Sequence, residues 1–219
     1  MFGGTGDTAP APSLCAVCAS ATEMTGAGIM LMAGDSPRGS VCSSNHTSAE
    51  LEELQFLLGE GPCVDAYNFD RPVLEPDLSA PEEPRWVEFS RGALAAGAQA
   101  VFGFPMQVGA VRLGALNLYR DRPGPLSHDQ HADALVMAGV AARDVLAMQA
   151  DAPEGAIPSE LEATGNFRFV VHQATGMVAA QLDVNVSEAM IRLRSYAFAH
   201  DRPLIDVADD VVTRRLRLA

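Results

Sequence analysis

The stretch Asp151-Ala152-Pro153-Glu154-Gly155-Ala156-Ile157-Pro158-Ser159 constrains this chain more than any other part of it. Two prolines that cannot donate a backbone hydrogen bond, with a glycine between them, interrupt any regular element. The sequence differs in charge on the two sides. Residues 1–165 hold 8 Arg and 22 Asp or Glu, a net of -14, whereas residues 166–219 hold 7 Arg and 6 acids, a net of +1. Together they return the formal -13 of the 219 residues, whose 15 basic side chains are all arginine. The break predicts a linker over 151–160. A larger acidic domain is expected over 13–150, a smaller Arg-rich one over 161–219, and a flexible N-terminus over 1–12.

So negative a chain excludes a uniformly basic coat for gripping nucleic acid, because such binding works by neutralising phosphates. A local basic site on an acidic body remains open. With 48% hydrophobic and 20% charged residues the chain is globular rather than disordered. No run reaches the ~18 apolar residues of a membrane span. Met1 to Pro12 lacks the positive and apolar regions of a signal peptide. The expectation is a cytoplasmic protein with no membrane partner and with its four cysteines reduced rather than bridged.

Before the break, element types alternate. Leu14, Val17, Cys18, Ala21 and Met24 recur at helical spacing. Ile29–Ala33 and Ser40–Ser44 read as a hairpin around Gly34–Gly39. Ser48 is placed to cap a helix that turns Leu51, Leu54 and Leu58 inward and Glu50, Glu52 and Glu53 outward, ending at Gly59. A short strand over Pro72–Glu75 and a helix from about Pro84 to Ala96 follow. Ala100–Val108 and Ala110–Tyr119 form the clearest hairpin, turned at Gly109, with Val111, Leu113, Ala115, Asn117 and Tyr119 on one face. Ser127 and Gln130 make a capping box for a helix to about Ala150, striped with Ala134, Ala138, Ala141, Val145 and Met148. This order predicts an α+β domain, an antiparallel sheet with flanking helices. After the break three helices are expected. Their stripes are Phe167, Val170, Val171, Ala174, Met177 and Gln181, then Ala189, Leu193, Tyr196, Ala197 and His200 behind a Ser187 cap, then Leu204, Val207, Ala208, Val211 and Leu218 after Pro203.

Leu58-Gly59-Glu60-Gly61-Pro62-Cys63-Val64-Asp65-Ala66, Ala100 to Gly109, and Leu113-Gly114-Ala115-Leu116-Asn117-Leu118-Tyr119-Arg120 resemble a GAF sensor domain. Gln173-Ala174-Thr175-Gly176-Met177-Val178, with Glu188-Ala189, Leu193-Arg194 and Leu204-Ile205-Asp206-Val207-Ala208, resembles an ANTAR domain. The order is that of bacterial, actinobacterial-type GAF–ANTAR antiterminators. The resemblance implies a GAF-type α+β domain followed by an all-α three-helix RNA-binding module. Its partner would be an antiterminator hairpin in nascent RNA. The first domain would sense a small-molecule effector, and the protein would form a homodimer. One departure stands out: ANTAR domains often carry a lysine where this chain has Thr175.

Candidate RNA contacts are Arg192, Arg194, Arg202, Arg214, Arg215 and Arg217, with Tyr196 as a stacking surface. Guanidinium suits bidentate phosphate contact and stacking on unpaired bases, whereas Asp206, Asp209 and Asp210 would repel phosphate. A ligand pocket in the first domain would draw on Cys63, Trp86, Phe102 and Phe104, Trp86 lying on a helix placed over the two phenylalanines. Pro62 suits the first turn of a helix and puts Cys63 at its positive end, where a thiolate is favoured. Cys15-x-x-Cys18 lacks a second pair for a metal and fits a packed helical face. His128, Asp129, His131 and Asp133 read as a solvated helix start rather than a metal site. No nucleophile–base set is visible, so an enzyme is not expected and no cofactor is readable. The competing class is a GAF-fold small-molecule or thiol-redox enzyme, similar to methionine sulfoxide reductases, with Cys42 near Cys63 and the tail as a dimerisation module.

Overall fold

A computed structural model describes residues 13–33, 36–81, 85–151, 165–200 and 202–218. The expected flexible segment 1–12, the turn at Gly34–Asp35, the helix start at Pro84 and nearly all of the 151–160 linker lie outside them. Helix α1 (Leu14–Ala21) is capped by the Ser13 hydroxyl, which accepts from the Ala16 N–H. Strands β1 (Gly26–Ala33) and β2 (Ser36–Ser43) pair antiparallel. Helix α2 (His46–Leu58) follows, then α3 (Pro62–Phe69), β3 (Val73–Glu75), α4 (Val87–Ala95), β4 (Ala100–Val108), β5 (Val111–Arg120) and α5 (His128–Asp151). The C-terminal helices are α6 (Gly165–Leu182), α7 (Val186–Ala199) and α8 (Leu204–Val212). Helix α5 runs to Asp151, one residue into the stretch read as linker.

The five strands form one antiparallel sheet in the order β2-β1-β5-β4-β3. Its alternating residues separate two cores. On one face Met30, Val101, Ala115 and Tyr119 pack with Leu51 and Phe56 of α2, Cys63 and Val64 of α3, and Trp86 and Phe89. On the other, Phe102, Phe104, Leu116 and Leu118 meet Cys15 and Cys18 of α1 and Ala134, Ala138 and Val145 of α5. In the C-terminal helices Val171, Ala174, Ala189, Leu193, Leu204, Val207 and Val211 are buried, as the stripes predict, whereas His200, expected on the second stripe, is exposed and the side chain of Phe167 lies outside the described residues.

Several local expectations are corrected. Helix α2 is capped by Asn45, whose side chain accepts from the Ser48 N–H at 2.9 Å while Ser48 Oγ accepts from the Asn45 N–H at 3.0 Å. Ser48 is therefore the reciprocal member of a capping box rather than its first residue. The same displacement occurs at α7, where Asn185 and not Ser187 is the cap, accepting from the Glu188 N–H at 2.9 Å. Glu52, expected outside, is 1% exposed and accepts a hydrogen bond from Asn117 Nδ2 at 3.1 Å. Val17, expected inside, is 41% exposed, because Cys15 and Cys18 face the sheet instead. Cys15 and Cys42 are joined by a disulfide, contrary to the expectation of four reduced thiols, while Cys18 and Cys63 are free and buried.

Glycine is required where strands and helices crowd. A Cβ at Gly103 on β4 would run into the Pro62 carbonyl at the start of α3. Gly139 on α5 has nothing within 4 Å of the same position. Gly139→Ala should therefore raise stability by about 0.5–1 kcal/mol through helix propensity, and Gly103→Ala should lower it by about 2 kcal/mol through overpacking. Urea denaturation of the two variants checks both signs.

Candidate nucleic-acid interface

The seven expected RNA-contact residues divide by their partners, with Arg202 and Arg215 sharing Asp210 and Arg194 bonded to α2. Arg192 and Tyr196 lie four residues apart on α7, so they share a side of that helix. Arg192 is ion-paired with Glu188 at 2.9 Å, and the Tyr196 ring stacks on His200 with centroids 3.9 Å apart. Arg202, at the turn into α8, holds Asp210 at 2.6 Å. Arg215 reaches Asp209 and Asp210, each at 2.6 Å. The two aspartates thus neutralise the arginines beside them. Arg214, held in the left-handed region at φ 61, and Arg217 are exposed, with no ion pair among the described residues.

The two arginines hold the Asp210 carboxyl below the ordinary carboxylate range, Arg202 first through its hydrogen bond and then Arg215. A carboxyl whose folded pKa is depressed contributes stability above its unfolded value and loses it as pH falls through the folded one. The network therefore opens only in acid below the usual carboxylate titration, and it is closed at neutral pH.

Arg194 points the other way, into the α+β domain. Its Nη2 donates to the Phe56 carbonyl at 2.5 Å, and its guanidinium lies 6.0 Å from the Phe56 ring centroid. Phe56 is among the last four residues of α2, whose carbonyls have no partner within the helix. Gly59 closes that helix at φ 68, and a Cβ there would sit 2.6 Å from Arg194 Nη1. The glycine therefore supplies both the left-handed turn and the room for the guanidinium. Desolvation pushes the Arg194 pKa down to about 10, and its Nε is buried without a hydrogen-bond partner. A second contact, His172 Nε2 with the Arg38 carbonyl at 3.0 Å, ties α6 to β2.

Thr175 explains itself by position. It is fully buried, its hydroxyl donates to the Val171 carbonyl at 2.7 Å, and Met190 of α7 covers it. A side chain here faces the helix pair, not solvent. A cation at 175 could reach phosphate only by leaving that interface.

The expected pocket set is not brought together. Cys63 and Trp86 belong to the core under α2, α3 and α4, while Phe102 and Phe104 point through the opposite face toward α1 and α5. Trp86 instead meets Phe89 edge-on and donates Nε1–H to Asp65 at 3.0 Å; burial raises the Asp65 pKa against that bond. Phe104 packs against His131. Cys63 does begin α3 behind Pro62. However, burial and then the nearby Glu52 charge push its thiol well above the ordinary range, the reverse of the shift expected from the helix end. Cys42 is bonded to Cys15, so the anticipated Cys42–Cys63 pair does not exist. Among the described residues no three of His, Cys, Asp and Glu are grouped to hold a metal ion.

A cleft of about 480 Å³ lies where the C-terminal helices meet the α+β domain. Leu57, Leu58, Glu60 and Glu88 form one wall, and Arg194, Ser195, Phe198 and Leu204 are on the other. Sequence reasoning missed it because its walls are more than a hundred residues apart. A local signal is Phe198, a large apolar side chain on the exposed side of its helix.

Two outcomes test this description. Iodoacetamide should modify Cys63 and Cys18 in the native protein far more slowly than in urea, burial having raised the Cys18 pKa to about 11. Thr175→Lys should destabilise the C-terminal helices by about 3 kcal/mol or more, since the buried ammonium has no partner, measurable by thermal unfolding.

The comparisons with known proteins bear on this geometry. The ANTAR domain model matches residues 159–212, which span α6, α7 and α8. No curated protein matches the chain. Among solved structures, one similar chain is described as a domain of a two-component sensor histidine kinase protein from Sinorhizobium meliloti 1021. It has 18% identity and a TM-score of 0.47, over 63% of this chain and 90% of that one. Among the described residues no helix is long and apolar enough to cross a membrane. The C-terminal helical region is thus the part of the chain that carries a family match, as an ANTAR domain.

Proposed function

We propose that the protein is a transcription antitermination regulator that binds a hairpin in nascent RNA through α6–α8 and is controlled by its N-terminal domain. The observation that carries this reading is the ANTAR match over the three C-terminal helices. The charge distribution supports it, since these helices and their tail concentrate arginine at the end of an otherwise acidic chain. Arg214 and Arg217 supply the first phosphate contacts, and Arg192 opens readily, because exposed pairs such as Arg192–Glu188 contribute little. Arg202 and Arg215 join when phosphate competes with Asp209 and Asp210.

In this reading residues 13–150 are a GAF-type sensor, joined through 151–160 to the RNA-binding domain 161–219. The docking of Arg194 on α2 is the control. While its guanidinium caps the Phe56 carbonyl it cannot meet RNA, so a population shift away from the docked form adds a cation to the interface. A small-molecule effector or homodimer contacts would set that population, in the cytoplasm where transcripts are made. The function in this reading is binding and not catalysis.

A gel shift with a paired-hairpin RNA tests the proposal. Substituting Arg214, Arg215 and Arg217 together by alanine should abolish binding at physiological salt and lower the slope of log affinity against log salt by about two. Asp210→Asn should instead tighten binding several-fold, because it releases Arg202 and leaves Arg215 with Asp209 alone. Wild-type and triple-variant proteins with equal affinity would overturn the reading.

A further inference from the structure

Among the polar side chains that line the cleft between the two domains, Arg194 is the one with a buried atom that has no hydrogen-bond partner. Each carboxylate on its walls is engaged. Glu60 Oε1 accepts from the Phe89 N–H at 3.0 Å at the start of α4, and Glu88 is paired with Arg91. Arg202 has its charge paired with Asp210. Arg194 is not satisfied: of its five donors one reaches the Phe56 carbonyl, and Nε has no partner. Apart from Ser195 the remaining lining is apolar, with Leu57 and Leu58 opposite Pro203 and Leu204. Phe198 stands at the rim, 71% exposed. A partly desolvated guanidinium short of acceptors, beside apolar walls and an uncovered aromatic ring, is complementary to a flat apolar body carrying an anionic group. The volume of about 480 Å³ is in the range of small-molecule sites.

We infer that this interdomain cleft is a binding site for a small aromatic carboxylate, held by Arg194 and Phe198 from one domain and Leu57 and Leu58 from the other. The carboxylate supplies the acceptors that Arg194 lacks, and the ring fills the space between Phe198 and the leucines. Both walls exist only when the domains are docked. A ligand that needs both therefore stabilises the docked form in proportion to its occupancy. Resting on the proposed function, this makes the ligand a negative effector, because docked Arg194 is withheld from RNA.

Calorimetry on the full chain tests the site with naphthylacetate and its neutral isostere naphthylacetamide as probes. The acid should bind saturably, with the amide at least ten-fold weaker. Arg194→Gln should erase that preference. Ser195→Trp, at an exposed cleft position, should block the acid without changing thermal stability in the absence of ligand. No saturable binding up to about 10 mM, equal affinities for acid and amide, or unimpaired binding to Ser195→Trp would each overturn the site. A gel shift at saturating acid then separates the two claims. Weaker RNA binding supports both. Unchanged RNA affinity with intact acid binding leaves the site standing and removes the docking control.

Discussion

The capping of α2 by an arginine from another domain is the interaction on which the arrangement of this molecule depends. A helix leaves its last carbonyls without internal partners, and the negative end of its dipole favours a cation there. In α2 the Gly59 N–H closes back on the Gln55 carbonyl, and the Phe56 carbonyl receives Arg194. The same helix packs Leu51 and Phe56 on the sheet. One element thus holds the α+β domain together and seats the C-terminal helices. Gly59 cannot be replaced without affecting both roles, since any side chain there meets the strained backbone and the guanidinium together.

That seat works against a buried charge. Arg194 gains one carbonyl and contact with an aromatic ring, and it loses water from most of its surface. Such a contact holds because the surrounding apolar surface is buried with it, notably Leu54, Leu57 and Leu58 against the common core. A charge kept short of acceptors at a domain boundary is a natural point for an equilibrium to be tipped.

Much of the fold was legible in the sequence because periodicity survives from pattern to structure. The hairpin of β4 and β5 turns at Gly109, φ 60, as its spacing predicts. The stripe Ala134, Ala138, Ala141 and Val145 is the buried face of α5. The errors share a cause. Both misplaced caps chose a serine over the asparagine two or three residues earlier, and no local pattern tells which polar residue begins the helix. Glu52 reads as a solvated residue of an acidic helix, and only the fold brings Asn117 over it. Phe102 and Trp86 belong together by residue type, yet the sheet separates them. The interface was the least legible part. Arg194 belongs by spacing with its neighbours on α7, and its actual partner, a backbone carbonyl, carries no side-chain signature at all.

The bond between Cys15 and Cys42 joins a helix on one face of the sheet to its edge strand. Helix α1 packs beside α5, and β2 carries the Arg38 carbonyl met by His172. The disulfide thus ties the layer that holds α1 and α5 to the strand that His172 meets, so the chain that leads into the C-terminal region and the edge on which that region rests share a covalent link besides the sheet.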